Sequence, residues 1–577
     1  MAKWLSRERV EIPLDFSPKV HAVVGQILFS RGLETDKEIQ AFMAPDYQTD
    51  SHNPFLFHDM EKLVERIRQA QECKEKVIIF GDYDADGITS SAILKETFTE
   101  LGVDAEVYIP DKRTEGYGLN LLAIDIFKIA GVKLIITVDC GITSLAETQK
   151  AREYGIDIII TDHHHVPESL PNAYAIINPH QAGCGYPFAD LAGVGVAFKV
   201  VQAIFERLMP EKIGQTKWML DLVSIGTIAD CVPLIGENRL FVKYGLVVLS
   251  KTRRVGLLEL FTVGRIVIDE SVIPDTKKVS FYIAPRINAA GRINHANLAY
   301  NLIIEKNVIH ARAFALELEA NNTERQKITA EVVNEIKSLA EGKYKNKKII
   351  FAVGQHFPIG VVGLVAGKIV QLYGKPTAVF QKGTEESKGS FRSIPQINII
   401  EAIGKCRDLL IKFGGHSQAA GVSVRNDQLE NFQKTLDEII EKQLEGIELE
   451  AEIIIDGEIT PREINFDLVA DLEKLRPFGI GNIEPVLLIK NLIITQKRFL
   501  GSEKKHVKFF LVPAEDNAQG NGEIKILEAI SFGGAERLEA LKEGSRVDVL
   551  CNVQKDEWNG NSRIQLNVVD MRIVEIK

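Results

Sequence analysis

The most regular pattern along the chain is a series of short apolar runs that begins near Lys76. The runs are VIIF at 77–80, AEVYI at 105–109, KLIITV at 133–138 and IDIIIT at 156–161. Each run is bounded by Gly, Asp or Asn, and amphipathic stretches such as SSAILKETFTELG (90–102) lie between them. This alternation predicts βαβ units and a mostly parallel sheet.

The pattern changes several times along the chain. Long helical stretches follow the first sheet, and the polar segment 321–340 is predicted to be a charged, solvated connector. A second α/β pattern begins with KKIIFAVG at 347–354, and short strands with few helices fill the last part, as in a small antiparallel barrel. We expect an N-terminal helical segment (1–75), the core of a first α/β domain (76–200), its helical remainder and connector (201–340), a smaller α/β domain (345–445) and an OB-like β-barrel (450–577).

Composition agrees with a globular chain of several domains. The 577 residues are 45% hydrophobic and 26% charged, near the averages for folded proteins. No apolar run reaches the ~18 residues of a membrane helix, and the N-terminus carries charges where a signal peptide is apolar. The six cysteines form no C-x-x-C pair, which argues against a cysteine zinc site. We therefore expect a soluble, cytoplasmic protein without a membrane partner.

The densest chemical feature is the loop DYDADG at 82–87, which follows the first apolar run. Asp82, Asp84 and Asp86 are hard to ionise together without a cation, because they repel one another. An EF-hand calcium loop would need Glu where Ile93 stands and a helix where a strand is predicted. An Asp-rich capping turn is the alternative that needs no metal.

Further ligand types stand where neighbouring strands end. Asp139 follows KLIITV, and Asp162, His163 and His164 follow IDIIIT. Neighbouring parallel strands direct their carboxyl ends to one crevice, so these side chains should converge with the aspartate loop. Asp230 closes the apolar stretch LVSIGTIAD, where an unpaired charge would be costly.

These residue types also suggest a reaction. Carboxylate and imidazole ligands without thiolates suit Mn²⁺, Mg²⁺ or Zn²⁺. Five or six such ligands favour two ions that share a bridging carboxylate, the arrangement used for in-line displacement at phosphorus. The predicted chemistry is hydrolysis of a phosphate ester or anhydride.

Four segments resemble the motifs of the DHH phosphoesterase superfamily: DYDADG (82–87), VDCG (138–141), DHH (162–164) and IAD (228–230). The segment GGHSQAAG (414–421) is similar to the signature of the partner DHHA1 domain. Segments similar to the RecJ exonuclease family are EGYGLN (115–120), PRINAAGR (285–292), GSFRS (389–393) and RPFGIGNIEP (476–485). The resemblance implies a parallel-sheet DHH domain, a smaller α/β DHHA1 domain, a helical connector and a C-terminal OB-like barrel.

The family resemblance implies a role for each matching residue. The residues implied as metal ligands are Asp82, Asp84, Asp86, Asp139, His163 and Asp230, with Asp139 as the bridge. His164 would contact or polarise the scissile phosphate, and Asp162 would orient the histidines. Asp139, His163 and His164 form the implied catalytic set.

The resemblance also implies contacts to DNA. The residues implied to meet phosphate or DNA are Arg113, Ser390, Arg392, Gly415, His416, Arg286 and Arg292. We expect the glycines of 414–421 to open a helix whose backbone N–H groups approach the anion. In contrast, GVGVAF at 193–198 lacks the third Gly of a dinucleotide-binding fingerprint.

In the barrel, Lys504, Lys505, His506, Lys508, Phe509 and Phe510 supply charge and rings for a single strand. A solvated basic face explains these residues equally well. The net charge of −10, from 69 basic and 79 acidic residues, argues against a surface that coats polyanions. Positive charge should therefore be concentrated along one path.

The implied function is a metal-dependent 5′→3′ exonuclease that hydrolyses single-stranded DNA to 5′-mononucleotides in DNA repair and recombination. It would use two Mn²⁺ or Mg²⁺ ions and act with a single-strand-binding protein and a repair helicase. One alternative is a DHH phosphodiesterase for short oligonucleotides or cyclic dinucleotides, which needs no barrel. Another is a non-catalytic DNA-binding relative, which the full set of ligand residues disfavours.

Overall fold

The computed structural model describes residues 3–8, 10, 20–112, 114–447, 452–514, 525–558 and 561–574. The strands are β1 (Lys3–Ser6), β2 (Val77–Gly81), β3 (Ala105–Tyr108), β4 (Leu134–Val138), β5 (Asp157–Thr161), β6 (Ala175–Ile177), β7 (Ile350–Gly354), β8 (Thr377–Lys382), β9 (Glu386–Arg392), β10 (Lys412–His416), β11 (Ala419–Arg425), β12 (Glu452–Ile455), β13 (Gly457–Glu458), β14 (Leu487–Leu500), β15 (His506–Pro513), β16 (Leu527–Ser531), β17 (Arg546–Trp558) and β18 (Asn561–Ile573).

The helices are α1 (Ala22–Ser30), α2 (Asp36–Met43), α3 (Met60–Glu72), α4 (Ala85–Leu101), α5 (Leu121–Ile129), α6 (Leu145–Glu153), α7 (Gly193–Leu208), α8 (Leu220–Ala229), α9 (Gly236–Ser250), α10 (Val255–Val263), α11 (Thr276–Lys278), α12 (Ala284–Ile293), α13 (Asn297–Ile304), α14 (Val308–Glu341), α15 (Ile359–Tyr373), α16 (Ile399–Gly404), α17 (Leu429–Gln443) and α18 (Phe466–Lys474). Single 3₁₀ or π segments cover Pro54–Leu56, Pro210–Met219, Val279–Ile283, Arg407–Leu409 and Pro461–Glu463. Every helix among the described residues is too short or too polar to cross a lipid bilayer.

The chain forms two compact units. The first comprises Met1–His52, Cys231–Lys243 and Glu452–Lys577, and the second comprises Asn53–Asp230 and Tyr244–Ala451. The expected fold class, with a parallel-sheet domain, a smaller α/β domain, helices between them and a terminal barrel, is confirmed.

The first sheet of the second unit is parallel throughout, with strand order β3-β2-β4-β5-β6. Every residue of β2 and of β4 is buried, which explains their unbroken apolar sequences. The chain runs from β2 to β3 on one side and to β4 on the other. This reversal opens a crevice at the carboxyl ends of β2 and β4.

The smaller α/β domain of the same unit contains a mixed sheet of order β10-β11-β9-β8-β7, in which only the β7–β8 pair is parallel. Its core is mostly aliphatic and contains a cluster of aromatic rings from Phe351, Phe380, Phe391 and Phe432. The helix α14 leads into this domain.

One expectation for this unit holds in part, and another is wrong. The segment 321–340 is a helical connector within α14 with exposed charged residues, but one face of it buries residues such as Asn322, Val332 and Ile336. The segment 414–421 does not open a helix but forms the β10–β11 hairpin, with Gly414 paired to Gly421. Gly415 allows a close backbone approach in this hairpin, since it has φ +146° and a Cβ there would lie 2.3 Å from the Ala419 carbonyl oxygen.

The first unit contains the barrel. Its sheet has the order β13-β14-β15-β16-β18-β17, and pairing of β14 with β17 closes it. The barrel is not wholly antiparallel as expected, because the β16–β18 and β13–β14 pairs are parallel. The N-terminal segment is not only helical either, since β1 pairs with β12. Apolar residues of α1 and α18, including Ile27 and Leu468, share the barrel core.

Candidate metal centre and phosphate site

The loop after β2 carries the three aspartates in a fixed arrangement. Asp84 is the N-cap of α4, and its Oδ1 accepts hydrogen bonds from the N–H groups of Asp86 (3.0 Å) and Gly87 (3.2 Å). The two oxygens of Asp86 accept from the N–H groups of Gly193 (2.7 Å) and Val194 (2.8 Å) at the start of α7. Asp82 and Asp84 therefore precede α4, whereas Asp86 lies in its first turn.

The neighbouring strand ends and α8 bring further ligand types to this loop. His163, after β5, has its Nε2 atom 3.2 Å from Oδ1 of Asp139 and 3.7 Å from Oδ2 of Asp230. Asp139, after β4, has φ +61°, a left-handed conformation that few residues other than glycine adopt. Strained backbone of this kind concentrates at functional sites.

Ligand atoms of three overlapping sets lie within 4.8 Å of one another: Asp82, Asp84 and Asp139; Asp86, His163 and Asp230; and Asp139, His163 and His164. The structure therefore brings together all six residues predicted as metal ligands. Asp139 and His163 each belong to two of the sets, and a carboxylate such as Asp139 can be shared by two ions.

Three atoms in this cluster are buried and make no hydrogen bond: Asp82 Oδ1, His163 Nε2 and Asp230 Oδ2. Buried polar atoms are otherwise almost always paired, since an unpaired one is costly. Their convergence, with donors typical of hard and borderline divalent ions, fits a metal centre. Asp86 keeps ligand capacity too, because each carboxylate oxygen has two lone pairs.

The electrostatics of the carboxylates point to the same need for a cation. Burial, together with the charges of neighbouring aspartates, raises the pKa of Asp82, Asp139 and Asp230 well above the usual value. Burial and the charge of Asp84 raise the pKa of Asp86 to about 7. Only a bound cation would stabilise the ionised forms of all four at neutral pH.

Asp162 and His164 form a pair beside this cluster. The Nδ1 atom of His164 lies 2.7 Å from Oδ1 of Asp162, whose other oxygen accepts from the Ile142 N–H at 2.9 Å. Burial alone would lower the pKa of His164, but the hydrogen bond and charge of Asp162 outweigh it and raise the pKa to about 9. Burial and the charge of His164 lower the pKa of His163 to about 4. The adjacent histidines therefore differ, with His163 neutral and His164 a cation.

A group of basic side chains lies next to the aspartate loop. Lys112 stands over the ring of Tyr83, with Nζ 4.4 Å from the ring centroid. Arg292 donates to the Gly360 carbonyl (3.1 Å), and Arg392 donates to Ser390 Oγ (3.1 Å). Burial lowers the pKa of all three cations, and their mutual repulsion lowers the pKa of Lys112 and Arg392 further. We call Lys112, Arg292, Arg392 and Ser390 the cationic group. Because its cations repel one another, an anionic ligand between them would be stabilising.

Not every predicted DNA contact joins the cationic group. Arg286 is buried and directed to Glu319, with Nε 2.5 Å from Oε2, and to the Tyr282 carbonyl at 2.7 Å. Its charge and donors are engaged within the protein, so the expectation that it meets DNA is wrong. Arg113 lies outside the described residues.

The hairpin carries the remaining two predicted contacts. Gly415 and His416 end β10, and the ring of His416 lies 6.1 Å from the ring of His165. His165 follows His164 in sequence, so His416 lies near the metal cluster but in none of its three ligand sets.

Sequence reasoning missed the glycines that surround the aspartates. A Cβ at Gly193 would lie 2.6 Å from Asp139 Oδ1, and a Cβ at Gly226 would lie 2.8 Å from Asp86 Oδ1. In the segment GVGVAF, which fits no dinucleotide motif, Gly193 lets the N–H groups of Gly193 and Val194 reach the Asp86 carboxylate. Gly193 is the first residue of α7, and no feature of the sequence distinguishes it from the other glycines.

In the barrel of the first unit, the candidate DNA-binding strand β15 alternates between two environments. Phe509 is fully buried, whereas Lys508 and Phe510 are half-buried on the other face. Lys508 lies over Phe510 at 5.1 Å from the ring centroid, and Arg498 lies over the same ring at 5.4 Å. The expectation that Phe509 offers a ring to DNA is wrong, because strand alternation turns it into the core.

Comparison with known proteins shows three family matches. The DHH family N-terminal domain matches residues 76–227, the DHHA1 domain matches 346–442 and the RecJ OB domain matches 455–570. The single-stranded-DNA-specific exonuclease RecJ of Bacillus subtilis is 36% identical over 96% of this chain and 68% of its own length. The RecJ of Haemophilus influenzae is 30% identical over 97% of this chain and 98% of its own. The chain belongs to the RecJ family.

Solved RecJ structures agree with this. RecJ from Thermus thermophilus in complex with Mn²⁺ matches with a TM-score of 0.81 and 25% identity, covering 100% of this chain and 80% of the other. An exonuclease RecJ bound to manganese matches with a TM-score of 0.58 and 30% identity, covering 68% of this chain and 98% of the other. The RecJ OB match corresponds to the barrel, which a small-phosphate DHH enzyme would not need.

Proposed function

We propose that this chain is a metal-dependent exonuclease that hydrolyses single-stranded DNA from its 5′ end and releases 5′-mononucleotides. Membership in the RecJ family supports the activity and its single-stranded substrate. The observation that carries the mechanism is the cluster of aspartates and histidines with unpaired buried atoms, next to the cationic group.

The residues that would hold two divalent ions, Mn²⁺ or Mg²⁺, are Asp82, Asp84, Asp86, Asp139, His163 and Asp230. Asp139 would be shared, because of the two residues that belong to two ligand sets, Asp139 and His163, only the carboxylate offers two ligand oxygens. When bound, such ions activate water and neutralise charge on the attacked phosphate.

His164 would hold a proton at the scissile phosphate. Its raised pKa, about 9, keeps the imidazole charged at neutral pH, and Asp162 fixes the orientation of the ring through Nδ1. The Nε2–H of His164 can then donate to a phosphate oxygen, whose negative charge grows during the reaction. His163 is neutral, as an imidazole ligand must be.

The cationic group would bind the terminal 5′ phosphate. Arg392 and Ser390 present a planar guanidinium and a hydroxyl, and Arg292 and Lys112 add positive charge on the side of the aspartate loop. A terminal phosphate carries more negative charge than an internal diester. The group therefore favours a 5′ end, and cleavage next to it would release one nucleotide at a time.

The barrel would bind single-stranded DNA. Phe510 offers a partly accessible ring, and Lys504 and Lys505 are exposed just before β15. Lys508 lies over this ring and is paired with Glu528 at 2.6 Å, so it would hold the ring in place. Base stacking with charge contacts is how such barrels bind single strands. The net charge of −10 over the whole chain would discourage indiscriminate binding of polyanions.

We further propose that the enzyme acts in the cytoplasm, in DNA repair and recombination. A free 5′ end on a single strand arises when duplex DNA is unwound. A helicase and a single-strand-binding protein are therefore the partners that would supply and protect its substrate.

The experiment that tests this function compares substrates by length and strandedness. The purified full chain with Mn²⁺ should degrade a long single strand, leave a blunt duplex intact and act weakly on dinucleotides. Faster turnover of dinucleotides or cyclic dinucleotides than of long strands would favour the small-phosphate alternative. DNA binding without cleavage in Mn²⁺ or Mg²⁺ would favour the non-catalytic one.

A further inference from the structure

The helix α12 lies against the aspartate loop, although it is distant in sequence. The side-chain oxygen Oδ1 of Asn288 accepts a hydrogen bond from the backbone N–H of Ala85 at 2.7 Å, across 203 residues. Ala85 stands between Asp84 and Asp86 and is the first residue of α4.

This contact completes the hydrogen bonding of the first turn of α4. The first N–H groups of a helix have no partner within the helix. Asp84 Oδ1 accepts from Asp86 and Gly87, and Asn288 accepts from Ala85. One oxygen of Asp84 therefore serves the helix, and its other oxygen is left for a ligand.

A second contact of α12 is with Tyr83, the residue that precedes Asp84 in the aspartate loop. A Cβ at Gly291 would lie 2.9 Å from the carbonyl oxygen of Tyr83, closer than real Cβ atoms come. Glycine at 291 thus allows α12 to approach Tyr83, and Asn288 holds Ala85. The two contacts enclose Asp84 from the side of α12.

We propose that Asn288 is a positioning residue, which sets the geometry of the aspartate loop for metal binding. It belongs to none of the three ligand sets and acts through the backbone of Ala85. Asn is suited to this task because its amide oxygen accepts without adding charge beside three aspartates. The proposal rests on the metal centre of the proposed function but not on the substrate or the direction of cleavage.

The test is a Mn²⁺ titration of the DNA-free full chain, followed by calorimetry or by electron paramagnetic resonance. Asn288→Leu keeps the size of the side chain and removes the acceptor. We expect Mn²⁺ affinity to fall ~10- to 100-fold, as is typical when a group that orients a metal ligand is removed. At saturating Mn²⁺ the kcat should recover most of its wild-type value, because the reacting groups are intact.

Asn288→Asp is the conservative variant, since it retains an acceptor of the same reach. It should bind Mn²⁺ closer to wild type than Asn288→Leu does. The matched control is Asn307→Leu, because Asn307 caps α14 by accepting from Ile309 N at 2.9 Å and His310 N at 3.2 Å. This control should leave Mn²⁺ affinity unchanged.

An unchanged Mn²⁺ affinity in Asn288→Leu, or an equal loss in the Leu and Asp variants, would overturn the proposal. Should Asn288→Leu fail to fold, Gly291→Ala displaces the same loop through Tyr83 and should show the same weakened binding; wild-type affinity there would overturn it as well. A wild-type chain that binds Mn²⁺ but spares DNA would refute the proposed function and leave the role of Asn288 standing.

Discussion

The Nε2 atom of His163 lies 3.2 Å from Oδ1 of Asp139, yet it is buried and makes no hydrogen bond. Two groups this close without a hydrogen bond indicate that both are aimed at a third partner. The unpaired oxygens of Asp82 and Asp230 in the same cluster identify that partner as a divalent cation.

Asp139→Asn should abolish turnover while the fold survives. Asn tolerates the left-handed backbone of this position and keeps the shape of the side chain, but it cannot supply the shared negative ligand. We expect kcat to fall by about 10³-fold or more, since several kcal/mol of transition-state stabilisation are lost. Single-turnover assays on labelled DNA would measure this. Near-normal kcat with an intact fold would contradict the role of Asp139.

Arg392→Ala should distinguish substrates by their 5′ end. Loss of charge-assisted hydrogen bonds should raise KM ~10- to 100-fold for a strand with a 5′ phosphate and much less for one with a 5′ hydroxyl. Arg425→Ala, on the neighbouring strand β11 and exposed, is the matched control and should change neither KM. An equal effect of Arg392→Ala on both substrates would rule out a 5′-phosphate site.

The stability of the metal-free chain should fall as pH rises from about 6.5 to 8. The main cause is His164, whose folded pKa of about 9 lies above its unfolded value of about 6.5, so its stabilising effect is lost as pH rises between these values. Asp86, with a folded pKa of about 7 raised by burial and by Asp84, acts in the same direction but at lower pH, between about 4 and 7. His163, with a folded pKa of about 4, acts in the opposite direction between about 4 and 6.5 and changes little above that range.

Mn²⁺ should therefore raise the thermal unfolding temperature more at pH 8 than at pH 6.5, because it replaces protons among the aspartates. Asp86→Asn should make the pH dependence of the metal-free chain shallower below about pH 7 and change it little above that pH. Thermal unfolding with a chelator and with Mn²⁺ at about pH 5, 6.5 and 8 measures these effects. A metal effect that is the same at about pH 6.5 and 8 would show that the aspartates do not titrate as inferred.

Neighbouring phenylalanines of β15 should have opposite effects. Phe510→Ala removes a ring from the outer face and should weaken binding of long single strands by about 1–3 kcal/mol, with little change in stability. Phe509→Ala creates a cavity in the barrel core and should cost about 3–5 kcal/mol of stability. Strand binding by fluorescence anisotropy and unfolding by denaturant would separate the two. Unchanged binding in Phe510→Ala would exclude this face as a DNA site.

The sequence predicts the parts of the site that follow from strand ends. The proximity of Asp82, Asp139 and His163 could be predicted because parallel strands end at one edge of a sheet. The contacts of Gly193 and Asn288 with the aspartate loop could not be predicted, since these residues belong to helices far along the chain and carry no charge. Arg286 and Arg292 belong to one sequence motif, and their different roles become visible only in the structure, where Arg286 forms an ion pair with Glu319. Phe509 and Phe510 likewise differ only through the register of their strand.

The most direct test of the central claim follows the fate of an end-labelled single strand with a 5′ phosphate. With Mn²⁺, a 5′ label should appear at once as a mononucleotide, whereas a 3′ label should remain on strands that shorten progressively, and a chelator should stop both. Release of the 3′ label as a mononucleotide while the 5′ label stays on long strands, or cleavage that persists in the chelator, would contradict a metal-dependent exonuclease acting from the 5′ end.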